Sequence, residues 1–328
     1  MAVRSTMPAV RANRESTSDP LVSVVMAAYN GARHIGDAIG SVLAQTHRRL
    51  ELIIVDDCST DATAEIVESI GNVEPDRVVL IRQPFNAGPC RARRVGFARA
   101  HGEFLCWIDQ DDLWLPTKVE EQLAVMRESA MVGLLYTYFD AFDDDSGRTI
   151  AWPDGRRDHE GDVLGPLFVE GCFIGSITAM IRRAALETRG LHIRTTDFSI
   201  GDDYYLWLGI ALDWQVARIP RVLARYRRHP ANESMRLAQQ NVDLWRVHLL
   251  REFLDEHPDA AQRLGWRVRT AFARHYLLAA RHACRQRRLV EALELGGRSV
   301  AADPLMPLRR ARGALARTRV PRAPDAAL

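Results

Sequence analysis

The sequence has few cysteines and no long apolar run, and each scarcity excludes a class of protein. Its five cysteines show no CxxC spacing, which favours reduced thiols over a disulfide framework or a zinc site. The longest apolar run, residues 21–28, is far shorter than the roughly 20 residues that span a bilayer. Residues 1–20 are polar and lack the apolar segment of a secretory signal. We therefore expect a soluble, cytoplasmic protein.

An excess of charge of one sign is also missing. The 328 residues include 44 basic and 42 acidic side chains, so the net charge is only +2 and we expect no nucleic-acid partner. Lys118 is the only lysine. We attribute this bias toward arginine to the base composition of the genome before any function. The tail at residues 304–328 is an exception, with six arginines against Asp325. It fits peripheral contact with anionic lipid at the inner face of the cell membrane, or an arginine-biased flexible terminus.

Helical and strand periods alternate through the first half of the chain. The pattern predicts strands at 21–28, 50–55, 78–81, 104–108 and 133–139, and helices at 35–45, 61–70, 90–100 and 116–129. Continuous β-branched strands between helices are typical of a parallel sheet covered on both faces. Weaker strand signals lie at 177–181, 214–218 and 222–225, and the last helices are predicted at 237–253, 265–284 and 289–301.

These patterns divide the chain into four parts. We predict a disordered segment at residues 1–20, an α/β domain at 21–234, a helical subdomain at 235–303 and a basic, flexible tail at 304–328.

The densest chemical signal is Asp109-Gln110-Asp111-Asp112, which directly follows the fourth predicted strand. Three carboxylates this close repel one another, and a hard divalent cation that also binds phosphate oxygens would relieve the repulsion. The alternative is an acidic helix start that complements the helix dipole. Pro116 begins the predicted helix several residues later, which favours the metal.

Two further polar groups end neighbouring strands. Tyr29 follows the first strand, and the pair Asp56-Asp57 follows the second. Ligands of parallel sheets bind at the carboxyl ends of strands, so these side chains are candidates for holding a nucleotide. Asp-Ser-Thr-Asp is also ordinary turn chemistry. Neither a GxGxxG fingerprint nor a Walker motif is present.

Four ordered segments together resemble the inverting family 2 glycosyltransferases of the GT-A fold. They are VSVVMAAYNGARHIGDAIGSVLAQTHRRLELIIVDDCSTDAT, NAGPCRARRVGFARAHGEFLCWIDQDDLWLP, IGDDYYLWL and RYRRHPANES, and they lie between about residues 21 and 235. The resemblance implies a GT-A fold, which is Rossmann-like, with a mostly parallel sheet and helices on both faces. The C-terminal α-helical extension lies outside it.

The resemblance also implies roles for the donor site. Ala28, Tyr29, Asp56 and Asp57 would bind the nucleotide, with Tyr29 stacked on the base. Arg93 would lie near the diphosphate, although a solvated helix arginine is the alternative.

The motif Asp109-Gln110-Asp111 matches the family's DxD motif. Asp109 and Gln110 would face the donor, Asp111 would ligate Mn²⁺ or Mg²⁺, and Asp112 would support them. His229, in a match to YRxHxxNxS, would contact the metal or the diphosphate.

Inversion needs a carboxylate that takes the proton of the attacking hydroxyl. In GDDYYLW, Asp203 resembles the family's base and Asp202 its neighbour, and the two could exchange roles. A capping aspartate of the following helix is the alternative. Trp207 is either a core residue or an aromatic platform for the acceptor.

The sequence as a whole therefore predicts an inverting glycosyltransferase that uses a nucleotide-sugar, most simply a UDP-sugar, and a glycan or lipid-linked glycan acceptor. A sugar-nucleotide nucleotidyltransferase would need a glycine-rich basic loop after strand one, which is absent. A non-catalytic glycan-binding protein on the same fold is disfavoured because Asp109, Asp111 and Asp203 are intact.

Overall fold

The computed structural model describes residues 19–150, 159–194, 201–230, 232 and 241–306. The predicted disordered segment, up to residue 18, and all of the basic tail beyond residue 306 lie outside the described residues. Their disorder, and the tail's contact with lipid, therefore stay predictions.

Strands and helices alternate in the first half, as the sequence predicts. The strands are β1 (Val22–Ala28), β2 (Leu50–Asp56), β3 (Val78–Arg82) and β4 (Phe104–Trp107), and the helices are α1 (Ile35–Leu43), α2 (Thr63–Val73) and α3 (Pro89–Arg99). β1 pairs in parallel with β2 and β4, and β2 pairs in parallel with β3. The carboxyl ends of these strands therefore meet along one side of the sheet, which we call the carboxyl edge.

The second half extends this sheet with shorter elements. They are β5 (Leu113–Trp114), α4 (Lys118–Glu128), β6 (Val132–Asp143), β7 (Thr149–Ile150), α5 (Leu164–Glu170), a 3₁₀ turn (Ser176–Thr178), β8 (Met180–Arg182), α6 (Arg183–Glu187), α7 (Asp202–Ile210) and β9 (Gln215–Arg228). The strand order is β3-β2-β1-β4-β8-β6-β9-β5, with β7 beside β6. Parallel pairing dominates because each antiparallel pair spans only two residues of a strand.

The structure corrects several sequence predictions in this half. The two strands predicted at 214–218 and 222–225 are one strand, β9. Pro220 is tolerated there because the register with β6 shifts between Ile219 and Val222, so a residue without an N–H costs no ladder bond. The strand predicted at 177–181 begins as a 3₁₀ turn and continues as β8.

The helical extension consists of α8 (Val242–Glu256), α9 (Pro258–Leu264), α10 (Arg267–Arg285) and α11 (Leu289–Ala302). It packs directly on α7, where the ring of Phe253 meets Tyr205 edge-on with centroids 5.4 Å apart. Phe253 and Leu250 belong to the same buried apolar cluster as β4 and α7, so the extension shares the core of the α/β domain. Within the described residues, no helix is long and apolar enough to cross a membrane.

Candidate functional site at the carboxyl edge

Tyr29 lies just past the end of β1, with its ring directed to solvent. Ala28 before it is buried, whereas Tyr29 is 44% exposed. The side chain of Gln110 holds the Tyr29 backbone from both sides. Its Oε1 accepts from the Tyr29 N–H at 2.9 Å, and its Nε2 donates to the Tyr29 carbonyl at 3.0 Å. Gln110 therefore presents the Tyr29 ring and does not itself point to a ligand.

The two aspartates after β2 organise the neighbouring loops. Asp57 is buried, and it accepts hydrogen bonds from Gln83 Nε2 at 2.6 Å and from the backbone N–H groups of Ala87 and Gly88 at 2.9 and 2.7 Å. A carboxylate offers about four acceptor positions, so Asp57 retains capacity for one further donor. Asp56 is also buried, and both of its oxygens lie 3.4 Å from the Ser59 N–H.

Arg93 joins the donor side of this edge to the start of α7. Gly88, with a φ of 85°, and Pro89 begin α3, and Arg93 follows in the next turn of the helix. Its Nη1 lies 2.8 Å from Asp202 Oδ2, and its Nη2 lies 3.2 Å from Asp109 Oδ1. The guanidinium is therefore shared between two carboxylates that are far apart in the sequence. Its side chain is only 14% exposed, which argues against the alternative of a solvated helix arginine.

Burial and charge shift the pKa values within this cluster. Burial raises the pKa of Asp109 above its usual value, and Asp111 adds to the rise while Arg93 opposes it. Burial by itself lowers the pKa of Arg93, but Asp202 and Asp109 more than compensate and the pKa is raised. Arg93 therefore stays charged whenever the carboxylates around it are ionised.

The two predicted metal ligands lie side by side. His229 Nε2 is 2.8 Å from Asp111 Oδ2, and both side chains are partly buried. Asn232 Nδ2 lies 3.1 Å from the same oxygen, and its carbonyl oxygen accepts from the His229 N–H. We assigned no role to Asn232 from the sequence, although it stands in the motif that identified His229. No group of three or more His, Cys, Asp or Glu suited to a metal occurs within the described residues.

Asp112 faces inward and supports the turn that carries Asp111. It is fully buried, and its Oδ1 accepts from the Arg227 N–H at 2.9 Å. Burial, followed by repulsion from Asp111 and Asp109, raises the pKa of Asp112 well above its usual value. The Arg227 side chain donates to the Asp111 carbonyl at 2.8 Å and to Asp144 Oδ1 at 2.9 Å. We did not predict Arg227 from the sequence, because its partners lie more than 80 residues away.

Asp202 and Asp203 begin α7 but have different surroundings. Asp202 is bound to Arg93, whereas Asp203 accepts only from the Tyr204 N–H, at 2.6 Å, among the hydrogen bonds of the described residues. Burial, followed by repulsion from Asp202, raises the pKa of Asp203 to about 7. A carboxylate with that pKa is suited to take up a proton near neutral pH.

Trp207 lies in the core and not on a binding surface. It is fully buried, and its indole stacks on that of Trp107 with centroids 5.3 Å apart and planes 7° apart. Of the two sequence interpretations, the core residue is therefore the one that fits, and a platform for the acceptor must come from elsewhere.

Comparison with known proteins identifies relatives along most of the α/β domain. The family model described as glycosyl transferase family 2 matches residues 23–190. An uncharacterised glycosyltransferase of Nostoc sp. is 33% identical over 222 residues, which are 66% of this chain and 67% of the relative. The Escherichia coli UDP-Glc:alpha-D-GlcNAc-diphosphoundecaprenol beta-1,3-glucosyltransferase WfgD is 29% identical over 203 residues, 61% of this chain and 74% of that protein.

Solved structures share the fold. TarS 1–349 of S. aureus in complex with UDP-GlcNAc has a TM-score of 0.55 at 17% identity and covers 88% of this chain and 92% of its own. The mannosyltransferase PcManGT of Pyrobaculum calidifontis in complex with GDP-Man and Mn²⁺ has a TM-score of 0.53 at 19% identity and covers 88% of each chain. The predicted GT-A fold is thereby confirmed.

Replacing Arg93 with alanine tests whether this cation stabilises the cluster. We expect Arg93→Ala to lower the free energy of unfolding at pH 8 by about 3 kcal/mol, because the buried Asp202 and the half-buried Asp109 lose their counter-charge. At pH 5 we expect a smaller loss. Burial already raises the pKa of Asp109, and removing the cation raises it further, so that a proton then replaces the missing charge.

Urea denaturation at the two pH values measures this difference. Arg94→Ala, which removes an exposed arginine from the next position of the same helix, is the control and should cost within about 0.5 kcal/mol at both. Equal losses for Arg93→Ala at pH 5 and pH 8 would show that its charge does not stabilise the cluster.

Proposed function

The chain belongs to glycosyl transferase family 2, and on that premise we propose that it transfers a sugar, with inversion, from a UDP-sugar to a hydroxyl of a glycan or lipid-linked glycan. One observation carries the proposal. The Arg93 guanidinium binds two carboxylates at once. One is Asp109 of the DxD motif, and the other is Asp202, which directly precedes Asp203. A donor bound at the DxD motif would therefore lie next to Asp203 as the base.

The nucleotide would bind at the ends of β1 and β2. The exposed ring of Tyr29 offers a face for a base, and Asp57 has an acceptor position left for a base N–H. A uracil N–H fits such a carboxylate, but guanine and thymine also have one. The names of WfgD and of the TarS complex, which contain UDP-Glc and UDP-GlcNAc, support uridine, whereas PcManGT was solved with GDP-Man.

Asp111 and His229 fit a divalent cation. Asp111 Oδ2 and His229 Nε2 lie 2.8 Å apart in a direct hydrogen bond, so both would ligate one ion once that bond is replaced, and the mixed donor set favours Mn²⁺ over Mg²⁺. With these two protein ligands, the ion would also need oxygens of the diphosphate or of water. When bound, such an ion neutralises the charge that develops on the departing diphosphate. The Mn²⁺ in the PcManGT complex supports this cofactor.

Asp203 would act as the general base. Because Asp202 is bound to Arg93, its carboxylate is neutralised and held, and Asp203 is left to take the proton of the acceptor hydroxyl. The Arg93 cation also lies close enough to the donor side to stabilise developing negative charge. This difference between the partners of Asp202 and Asp203 supports Asp203, and not Asp202, as the base.

Calorimetric titration tests the donor site. We expect UDP to bind wild-type protein at least about tenfold more tightly with Mn²⁺ than without it, and more tightly than GDP or dTDP. Asp111→Ala should abolish the effect of Mn²⁺, because the cation loses its carboxylate. Asp145→Ala, which removes an exposed aspartate, is the matched control and should leave it unchanged. UDP binding that is indifferent to Mn²⁺ and to Asp111 would contradict the proposed metal site.

Transfer kinetics test the base. We expect Asp203→Asn to lower kcat by about 10²–10⁴-fold while UDP still binds, because the hydroxyl loses its proton acceptor. In wild type, kcat/KM should fall about tenfold per unit as the pH drops below about 7, where Asp203 becomes protonated. Asp202→Asn should keep this limb but move it to lower pH, because the Asp202 charge helps to raise the pKa of Asp203. If Asp203→Asn retained wild-type kcat, or the limb lay near pH 4, another group would be the base.

A further inference from the structure

The first turn of α8 lies against two glycines on the acceptor side of the site. The ring of Trp245 packs on Gly201, where φ is 81° and any Cβ would overlap the indole. The Arg246 guanidinium and the His275 ring lie over Gly171, where φ is 91°. A Cβ there would be 3.6 Å from Arg246 Nε and 3.7 Å from His275 Cε1. Gly201 directly precedes Asp202 and Asp203, so Trp245 lies beside the proposed base.

Arg246, which lies over Gly171, is also near Asp203. Burial raises the pKa of Cys172, the residue after Gly171. The Asp203 carboxylate raises it further, and the Arg246 cation lowers it. Both charges are therefore close enough to this thiol to act on it.

The polar groups around Gly171 are only partly bonded. Arg246 donates through Nη1 to Asp243 Oδ1 at 3.0 Å, and within the described part of the chain its Nε and Nη2 donate no hydrogen bond. His275 Nδ1 lies 3.1 Å from the same Asp243 oxygen. The His275 ring is fully buried, yet its Nε2 has no partner there either. A buried polar atom without a partner costs free energy, and a ligand that supplies the partner would recover it.

We propose that Trp245 and Arg246 form an acceptor subsite for a sugar that carries a phosphate or diphosphate group. The half-buried indole offers a face for the sugar ring next to Asp203, and the Nε and Nη2 edge of the guanidinium matches two phosphate oxygens. Burial lowers the pKa of His275, so its Nε2 donates to the same group only when the bound phosphate offsets this shift, with Asp243 balancing the charge. This assignment rests on the proposed glycosyltransferase function. It also explains how an extension outside the family match reaches the acceptor.

Binding to protein already saturated with UDP and Mn²⁺ tests the subsite, because the donor site is then filled. The probes are a panel of hexose and N-acetylhexosamine 1-phosphates, each compared with its free sugar by calorimetry. We expect at least one sugar phosphate to bind about tenfold or more tightly than its free sugar. Arg246→Ala should remove that difference, and Arg246→Lys, which keeps the ion pair with Asp243 but lacks the planar fork, should retain part of it.

Two further variants separate a subsite from a general structural effect. Arg251→Ala removes an exposed arginine from the same helix and should leave every affinity unchanged. Trp245→Ala should weaken the binding of sugar phosphate and free sugar by the same factor, because the indole contacts the ring and not the phosphate. Circular dichroism and UDP binding establish that each variant is folded.

The outcomes are distinct from those that test the donor site. If UDP and Mn²⁺ fail to bind wild type, the proposed function fails before this experiment begins. If they bind, but no sugar phosphate binds or Arg246→Ala keeps the preference for phosphate, the subsite is overturned while the donor site stands. Sugars linked through a diphosphate to a short polyprenyl chain form a last arm. Tighter binding of these than of the 1-phosphates identifies a lipid-linked acceptor, and equal binding identifies a soluble sugar phosphate, and both outcomes support the subsite.

Discussion

The site depends on one shared cation. Arg93 binds Asp109 and Asp202 at the carboxyl edge of the sheet, where Asp111, Asp112 and Asp203 also lie. Two like charges 4 Å apart near a protein surface repel by about 4 kcal/mol, so carboxylates in such a group favour either a cation or a proton. Arg93 supplies a permanent cation at the centre. Burial and the neighbouring carboxylates raise the pKa of Asp112 well above its usual value, which favours a proton there. In the function that we propose, Asp111 binds a cation that arrives with the donor.

The same interaction gives two adjacent aspartates different chemistry. Asp202 and Asp203 follow each other on α7, but only Asp202 reaches the guanidinium. Asp203 is half-buried and forms no ion pair within the described part of the chain, and burial and the Asp202 charge raise its pKa to about 7. The position of Arg93 on α3 thus determines which carboxylate is held and which one can exchange a proton. The helical extension closes the opposite side, because Trp245 and Arg246 pack on the glycines that precede Asp202 and Cys172.

The sequence predicts the parts of the site that follow strands, and it misses the parts that come from distant segments. Tyr29, Asp57 and Asp109 could be placed together because the carboxyl ends of parallel strands share an edge. The ion pair between Arg93 and Asp202 spans 109 residues, and no local pattern announces it. Arg227 and Trp245 were missed for the same reason. The sequence around an arginine in a strand or a tryptophan in a helix does not indicate which distant residue it contacts. Gln110 was assigned to the donor because it lies within the DxD motif, but the backbone of Tyr29 takes up its amide.

The most direct measurement is a crystal structure of the protein with UDP and Mn²⁺, with the ion located by its anomalous scattering. We expect the ion between Asp111 and His229, with both as ligands and their present hydrogen bond replaced. We also expect the uracil against Tyr29, and Arg93 still between Asp109 and Asp202. A nucleotide bound away from the carboxyl edge, or an ion that leaves the Asp111–His229 hydrogen bond intact, would contradict the proposed site.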